Sequence, residues 1–162
     1  MKNMVTTLDK FDVTILFELQ NDARLTNAEL AQRVGLSAAP CWRRVRALEE
    51  SGYILAYRAE IDRHKIGLGV LAFVRLDAAQ NSGPALRELE DAIRNISEVT
   101  SCHYISGTGT FELQVVSRDL NTFSQFARDV LINLPNVKDL HTSFSLGEVK
   151  ANSALPLGHL RG

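Results

Sequence analysis

Two stretches with helical hydrophobic spacing follow one another across only four residues, Val34-Gly35-Leu36-Ser37. A link that short forces the second helix to cross the first steeply and project outward, the tight turn of a helix-turn-helix. The first of the pair opens at Thr26. Its hydroxyl is placed to accept from the backbone N–H of Glu29 while that carboxylate reaches back, a T-x-x-E capping box, and the helix stops at Gly35. Ser37 then caps the second, with Pro40 tolerated in its first turn and Cys41, Val45 and Leu48 on one inward face. Gly52 supplies the stop. Upstream, Leu8, Phe11, Ile15, Leu16 and Leu19 mark another helix ending near Asn21, with Thr6 or Thr7 as its expected N-cap and Asp9 in its first turn.

The period changes after a connecting stretch. Tyr53 to Ile61 reads as a short strand or hairpin, followed by a linker from Asp62 to Gly69. Val70 to Leu76 is nearly all apolar and suits a central strand. Asn81 to Pro84 break it and open a helix with Leu86, Leu89, Ile93 and Ile96 inward. Val99 to Ser106 and Phe111 to Ser117 are two strands joined by Gly107-Thr108-Gly109-Thr110, an antiparallel hairpin. Phe123, Phe126, Ala127, Val130 and Leu134 set a helix ended by Pro135, and Val137 to Leu146 is the last strand. The expected fold is α+β: a three-helix, winged-type helix-turn-helix domain over 1–53, a linker strand over 54–69, a ferredoxin-like βαββαβ domain over 70–150 with both helices on one sheet face, and a tail over 151–162. Alternation sends Phe111, Leu113 and Val115 toward the helices. It leaves Ser101, His103, Glu112, Gln114, His141, Ser143 and Ser145 on a polar open face, suited either to solvation or to a wet dimer interface. The exposed Ile54 to Arg58 strand also invites edge pairing with a second chain.

Composition narrows the function. With 162 residues, 45% hydrophobic and 23% charged, the chain fits one medium domain or two small ones, and the disordered and fibrous classes drop out. It has no apolar run of about 18 residues and no basic leader before an apolar core, so a cytoplasmic protein is expected. Cys41 and Cys102 fall in different domains, and His64, His103, His141 and His159 are scattered, so no disulfide framework, metal or cofactor is expected. Cys102 and His103 are strand neighbours facing opposite sides and cannot share a substrate. With no nucleophile beside a base and no phosphate loop, an enzyme is not expected.

The net charge of −1 argues against a nucleic-acid binder until its distribution is considered. Between Arg33 and Leu48 stand Arg33, Arg43, Arg44 and Arg46 with no acidic residue, a local basic patch that a dimer would present twice. Ala39, Arg43 and Arg46 point away from the buried stripe, with Trp42 on the flank. Arg43 and Arg46 are the expected readers of base edges or phosphates, and the sequence does not separate those roles. Ser37 and Thr26 cap helices whose N-termini suit phosphate, so their hydroxyls have capping or phosphate contact open to them. Arg44 lies nearer the buried stripe, with an acidic partner inside the domain as the alternative to DNA. Trp42 has packing or DNA contact open to it, and Cys41, in the buried stripe, suits packing ahead of redox sensing.

These segments, in order, resemble the Lrp/AsnC (feast/famine) family over nearly the whole chain. The marks are Leu8-Asp9-x-x-Asp12-x-x-Ile15-Leu16, Leu25-Thr26-x-x-Glu29-Leu30-Ala31, and Ser37-x-x-Pro40-Cys41-Trp42-Arg43-Arg44-Val45-x-x-Leu48-Glu49-x-x-Gly52-x-Ile54. Ile66-Gly67-Leu68-Gly69, Ser106-Gly107 and Leu134-Pro135-Asn136-Val137 follow. The resemblance implies a nucleoid-associated regulator of amino-acid metabolism genes that binds double-stranded promoter DNA as a homodimer, often assembled to an octamer. It further implies a small-molecule effector, usually an amino acid, bound near the hairpin loop and the last strand. The corresponding residues are Ser106, Gly107, Thr108, Gly109 and Thr110, with Thr142 on that strand. A turn of this kind has free backbone N–H groups for a carboxylate, or is simply a hairpin turn. In the family the loop often reads Gly-x-x-Asp, and Thr110 stands at the aspartate position. A hydroxyl cannot supply the charge that holds an ammonium group. The alternative is an architectural DNA-binding protein without an effector.

Overall fold

A computed structural model describes residues 8–106, 110–151 and 154–160. The chain divides into two compact units, Met1–Glu60 with Lys150–Gly162, and Ile61–Val149. The division differs from the one drawn on the sequence, because residues 54–60 and the C-terminal tail both belong with the first unit.

The first unit holds α1 (Lys10–Asn21), α2 (Asn27–Val34) and α3 (Ala38–Glu50). Each boundary has a local cause. Asp9, not Thr6 or Thr7, is the N-cap of α1: its carboxylate accepts from the N–H groups of Phe11 and Asp12, and Asp12 returns a bond to the Asp9 N–H. Thr6 and Thr7 lie outside the described residues. The Thr26/Glu29 box opens α2 as expected. Gly35 ends it at φ 74°, where the Leu36 N–H bonds the Ala31 carbonyl and the Gly35 N–H that of Gln32. Gly52, at φ 78°, ends α3 in the same way, through Tyr53 to Leu48 and Gly52 to Glu49. The core joins Ile15, Leu19, Leu30, Ala31, Val34, Cys41 and Leu48, with Phe11, Leu16, Val45 and Ile54 at its edge.

The expected strand over Tyr53 to Ile61 is absent: these residues pair with no strand among the described residues. Apolar alternation makes a strand only when a partner edge completes its hydrogen bonds. The tail lies against α1, where the Gln20 side chain donates to the Leu155 carbonyl at 3.0 Å and accepts from the Leu155 N–H at 2.9 Å.

The second unit runs β1 (Val70–Ala78), α4 (Gly83–Arg94), β2 (Val99–Ile105), β3 (Thr110–Ser117), α5 (Leu120–Asp129) and β4 (Val137–Phe144). All pairings are antiparallel in the order β2-β3-β1-β4, the βαββαβ arrangement expected. One face buries Ala72, Val74, Leu76, Phe111, Leu113 and Val115 against Leu89 and Ile93 of α4 and Phe123 of α5. Three ends moved. Strand β1 continues two residues beyond Leu76, β4 stops at Phe144, and α5 gives way at Val130 (φ −117°, ψ −64°) to a single 3-10 turn, Leu131–Asn133. Asn136, at φ 62°, joins β4 to the end of β1. Its amide accepts from the Gln80 N–H at 2.8 Å and donates to the Gln80 carbonyl at 2.9 Å, while its own carbonyl accepts from Ala79.

The open face carries more charge than the sequence reading gave it. Phe73 and Arg75, and with the longer β1 also Asp77, join His103, Glu112, Gln114, His141 and Ser143 there. Among the described residues no helix is long and apolar enough to cross a membrane, and no group of three or more His, Cys, Asp or Glu is placed to hold a metal ion.

Candidate DNA-binding and effector sites

Polar contacts tie the three helices to one another, two of them to α3. Asn27 Nδ2 donates to the Ala38 carbonyl at 2.8 Å, tying the first turn of α2 to the first turn of α3. The sequence reading missed it, since Asn27 sits outside any periodic pattern. Arg33 pairs with Glu18 of α1 at 3.0 Å. Arg44 reaches back to the start of α1, its Nη1 lying 2.7 Å from Asp12 and 2.8 Å from Asp9 with its plane over the Phe11 ring. These carboxylates raise the Arg44 pKa, the hydrogen bond with Asp12 first. Of the two roles open to it, Arg44 fills the one within the domain. A guanidinium held by two acids has little charge left for phosphate.

The outward face remains. Ala39, Trp42, Arg43 and Arg46 are exposed. Arg43 has no hydrogen-bond, ion-pair or ring partner among the described residues. Arg46 lies over the Trp42 ring at 5.7 Å and approaches Glu49 and Glu50 only at 3.8 and 4.0 Å. Glu49 is also engaged by the Tyr57 hydroxyl at 3.0 Å, and the Tyr57 pKa is pushed up to about 12, by burial first and then by that carboxylate. Ser37 is the N-cap residue of α3, yet its side chain makes no capping bond. Its exposed hydroxyl and the first N–H groups of the helix stay available to an anion. The Thr26 hydroxyl, by contrast, is spent on Glu29 at 2.7 Å. That contact and the Thr26 N–H lower the Glu29 pKa. Cys41 is fully buried and burial raises its thiol pKa, the environment of a packing cysteine.

At the other unit, Ser106 is an exposed turn residue after β2 and Thr110 opens β3. Gly107, Thr108 and Gly109 lie outside the described residues. Thr110 Oγ1 donates to Asp77 Oδ1 at 2.9 Å. Arg75 Nη2 lies 3.3 Å from Asp77 Oδ2, and His141 Nε2 lies 3.8 Å from Asp77 and 3.3 Å from Asp139. The Asp77 pKa is lowered, by the Thr110 hydroxyl above all and then by the Arg75 charge. Asp77 escaped the sequence reading because β1 was ended at the last apolar residue, although the alternation Phe73, Arg75, Asp77 already marked the open face. Thr142 does not join this group. It pairs with Val74 on the helix-covered face, three residues along from Asp77, roughly 10 Å at the strand rise. Cys102, exposed on the edge strand, has its thiol pKa raised by its surroundings and by Glu90, which does not suit a nucleophile.

A closely linked helix pair presenting a basic outer face, joined in one chain to a βαββαβ module, defines a DNA-binding transcriptional regulator with a ligand-binding module. Residues 8–54 match the model for winged helix-turn-helix DNA-binding domains, and residues 71–155 that for the Lrp/AsnC ligand binding domain. The chain is 34% identical over 148 residues to the leucine-responsive regulatory protein of Escherichia coli, covering 91% of this chain and 90% of that protein. A transcriptional regulator from Neisseria meningitidis, solved as a complex with L-methionine, superposes with a TM-score of 0.89 at 40% identity, covering 95% of this chain and 99% of that one. An AsnC family regulator from Agrobacterium tumefaciens gives 0.87 at 32%, covering 94% and 99%. The chain belongs to the Lrp/AsnC family of transcriptional regulators.

Proposed function

We propose that the protein is a sequence-specific regulator of amino-acid metabolism genes that binds promoter DNA as a homodimer and changes its binding in response to an amino acid. The carrying observation is the outer face of α3, where Arg43 has no partner among the described residues and stands beside Arg46 in a run, Arg33 to Leu48, that holds no acidic residue. With α3 in the major groove, Arg43 and Arg46 contact base edges or phosphates, Ala39 and Trp42 lie against the groove, and the α3 N-terminus with Ser37 meets a phosphate. Thr26 and Arg44 act indirectly, by holding α2 and α3 in place. The effector site is built on Ser106 and Thr110 with the intervening residues of the hairpin turn. An amino acid is favoured because one relative is named for its leucine response and another was solved with L-methionine. The open sheet face, with Phe73 42% exposed, is the proposed dimer interface, and the Ile54 to Arg58 segment, which joins no sheet among the described residues, offers a second edge to a partner copy. Dimers assembling to an octamer in the cytoplasm, on the nucleoid, complete the reading.

Fluorescence anisotropy with a promoter fragment tests it. Arg43→Ala combined with Arg46→Ala is expected to lose specific binding by about a hundredfold or more while size-exclusion chromatography shows unchanged assembly. A double variant that binds like wild type sinks the α3 assignment.

A further inference from the structure

Arg44 and Arg46 both have acids within reach and meet different fates. Arg44 is captured, its Nη1 lying 2.7 and 2.8 Å from two carboxylates at the start of α1. Arg46 has Glu49 three residues along on its own helix, a spacing at which opposite charges are neighbours. Yet Arg46 Nη1 stops 3.8 Å from Glu49 Oε2. A charge-assisted hydrogen bond between such groups closes to about 2.7–2.9 Å, so this pair faces without joining. The other oxygen of the same carboxylate is engaged elsewhere: Glu49 Oε1 accepts from the Tyr57 hydroxyl at 3.0 Å. Tyr57 lies outside α3, in the segment that follows it. The Arg46 guanidinium in turn lies 5.7 Å over the Trp42 ring. Trp42, Arg46, Glu49 and Tyr57 line one hollow in the first unit, with the arginine held on one aromatic ring and the glutamate on the other. Glu50 approaches Arg46 only at 4.0 Å, and with its side chain 73% exposed its charge is screened by solvent.

We propose that Tyr57 is a positioning residue for DNA binding: its hydroxyl holds Glu49 off Arg46, so that the Arg46 donors stay open to a phosphate or a guanine edge. The assignment rests on the reading of Arg46 as a DNA contact. A guanidinium offers its N–H groups as a fork and has no acceptor, and a carboxylate closed upon it takes the pair of donors that a bidentate contact with phosphate or guanine needs. Tyr57 touches no DNA in this arrangement and acts through Glu49.

The test uses the full chain, with fluorescence anisotropy on a duplex that wild type selects from a random-sequence pool. An exposed ion pair changes an equilibrium by about twofold to fivefold, and the proposed homodimer presents two, so Tyr57→Phe is expected to weaken binding about four- to twenty-five-fold. Adding Glu49→Gln leaves no charge to hold back, and the Tyr57→Phe, Glu49→Gln protein is expected to bind within about twofold of Glu49→Gln alone. A loss that Glu49→Gln does not restore makes Tyr57 a packing residue and overturns the proposal, as does Tyr57→Phe binding like wild type. Arg46→Ala separates the two readings. If it binds like wild type, Arg46 is no DNA contact and the proposal falls with that reading. If it releases DNA while Tyr57→Phe does not, the reading stands and the proposal alone falls. Thermal melts establish that Tyr57→Phe is folded, and if it is not, Glu49→Gln decides by itself. With Tyr57 in place the carboxylate is already held off, so removing its charge is expected to tighten binding by less than about fourfold, the lower bound for a pair closed in both subunits. A larger gain shows Glu49 closed on Arg46 in spite of Tyr57 and overturns the proposal.

Discussion

Arg43 and Arg44 are adjacent in sequence, identical in chemistry, and predicted to fail in opposite ways when replaced by alanine. Arg44 joins α3 to the first turn of α1 through Asp12 and Asp9, at 2.7 and 2.8 Å. Charge-assisted hydrogen bonds contribute about 1.5–3 kcal/mol when formed out of bulk water. With the Arg44 side chain 32% exposed and Asp9 48% exposed, solvent discounts that to about 1–2 kcal/mol. Each kcal/mol shifts the midpoint of a domain of this size by about 4–8 °C, so Arg44→Ala is expected to melt roughly 4–16 °C below wild type. Arg43 has no partner among the described residues, and its replacement should stay within about 0.5 kcal/mol of wild type, roughly 2–4 °C. On DNA the ranking reverses. If Arg43 neutralises one phosphate per subunit, its removal from a dimer flattens the dependence of log affinity on log salt by about 2, at 0.9 per contact. If it reads a base instead, the slope holds while specific affinity falls by about 1–3 kcal/mol per half-site. Differential scanning fluorimetry and anisotropy across a salt series measure both. Arg44→Ala melting like wild type yet releasing DNA, or Arg43→Ala melting well below it, refutes the division of labour.

Two further perturbations test local structure. The pKa of Asp9 is lowered from 3.8, first by its Asp12 backbone bond, with contributions from Phe11 and Arg44. A depressed carboxylate stabilises the folded state above its unfolded pKa, and that stability is lost as pH falls through 3.8 toward the folded value. Asp9→Asn keeps a capping oxygen but no charge. Its melting temperature should lie below wild type at neutral pH, with the gap closing below about pH 4; a gap constant with pH would exclude the charge. At Asn136, glycine removes the two side-chain bonds to Gln80, and alanine removes them and also places a Cβ at φ 62°. Thermal melts should rank wild type above Asn136→Gly, by about 1–3 kcal/mol, and Asn136→Gly above Asn136→Ala by about 1 kcal/mol more. Alanine matching glycine would mean that the left-handed backbone carries no cost.

What could be read ahead of the structure was local. Thr26, Gly35 and Gly52 announce helix ends because capping is decided within a turn of chain, and Phe111, Leu113 and Val115 announce a half-buried strand because alternation is intrinsic to the pleat. Asp9 displaced the threonines as N-cap because the next helical turn had already supplied Asp12 to complete the box. The rest depends on residues far apart in sequence. Arg44 finds its acids 32 and 35 positions earlier, and Asp77 gains its meaning only when β1 and β3 align. Tyr53 to Ile61 has strand composition yet joins no sheet among the described residues, which composition cannot reveal. The tail has no period at all, and contacts far back in the sequence, that of Leu155 with Gln20 among them, assign it to the DNA-binding unit.

That contact bears on how the protein is made. Gln20 and Leu155 are 135 residues apart, so the unit that carries α3 is not finished when its three helices have left the ribosome. The helices can collapse early, since their core contacts are short in sequence. The tail can dock only after the whole βαββαβ segment has been synthesised. A nascent chain thus presents the apolar flank of α1 around Leu16 uncovered by Leu155 to Leu160, a face on which a chaperone or a neighbouring nascent copy competes with the protein's own residues 155–160.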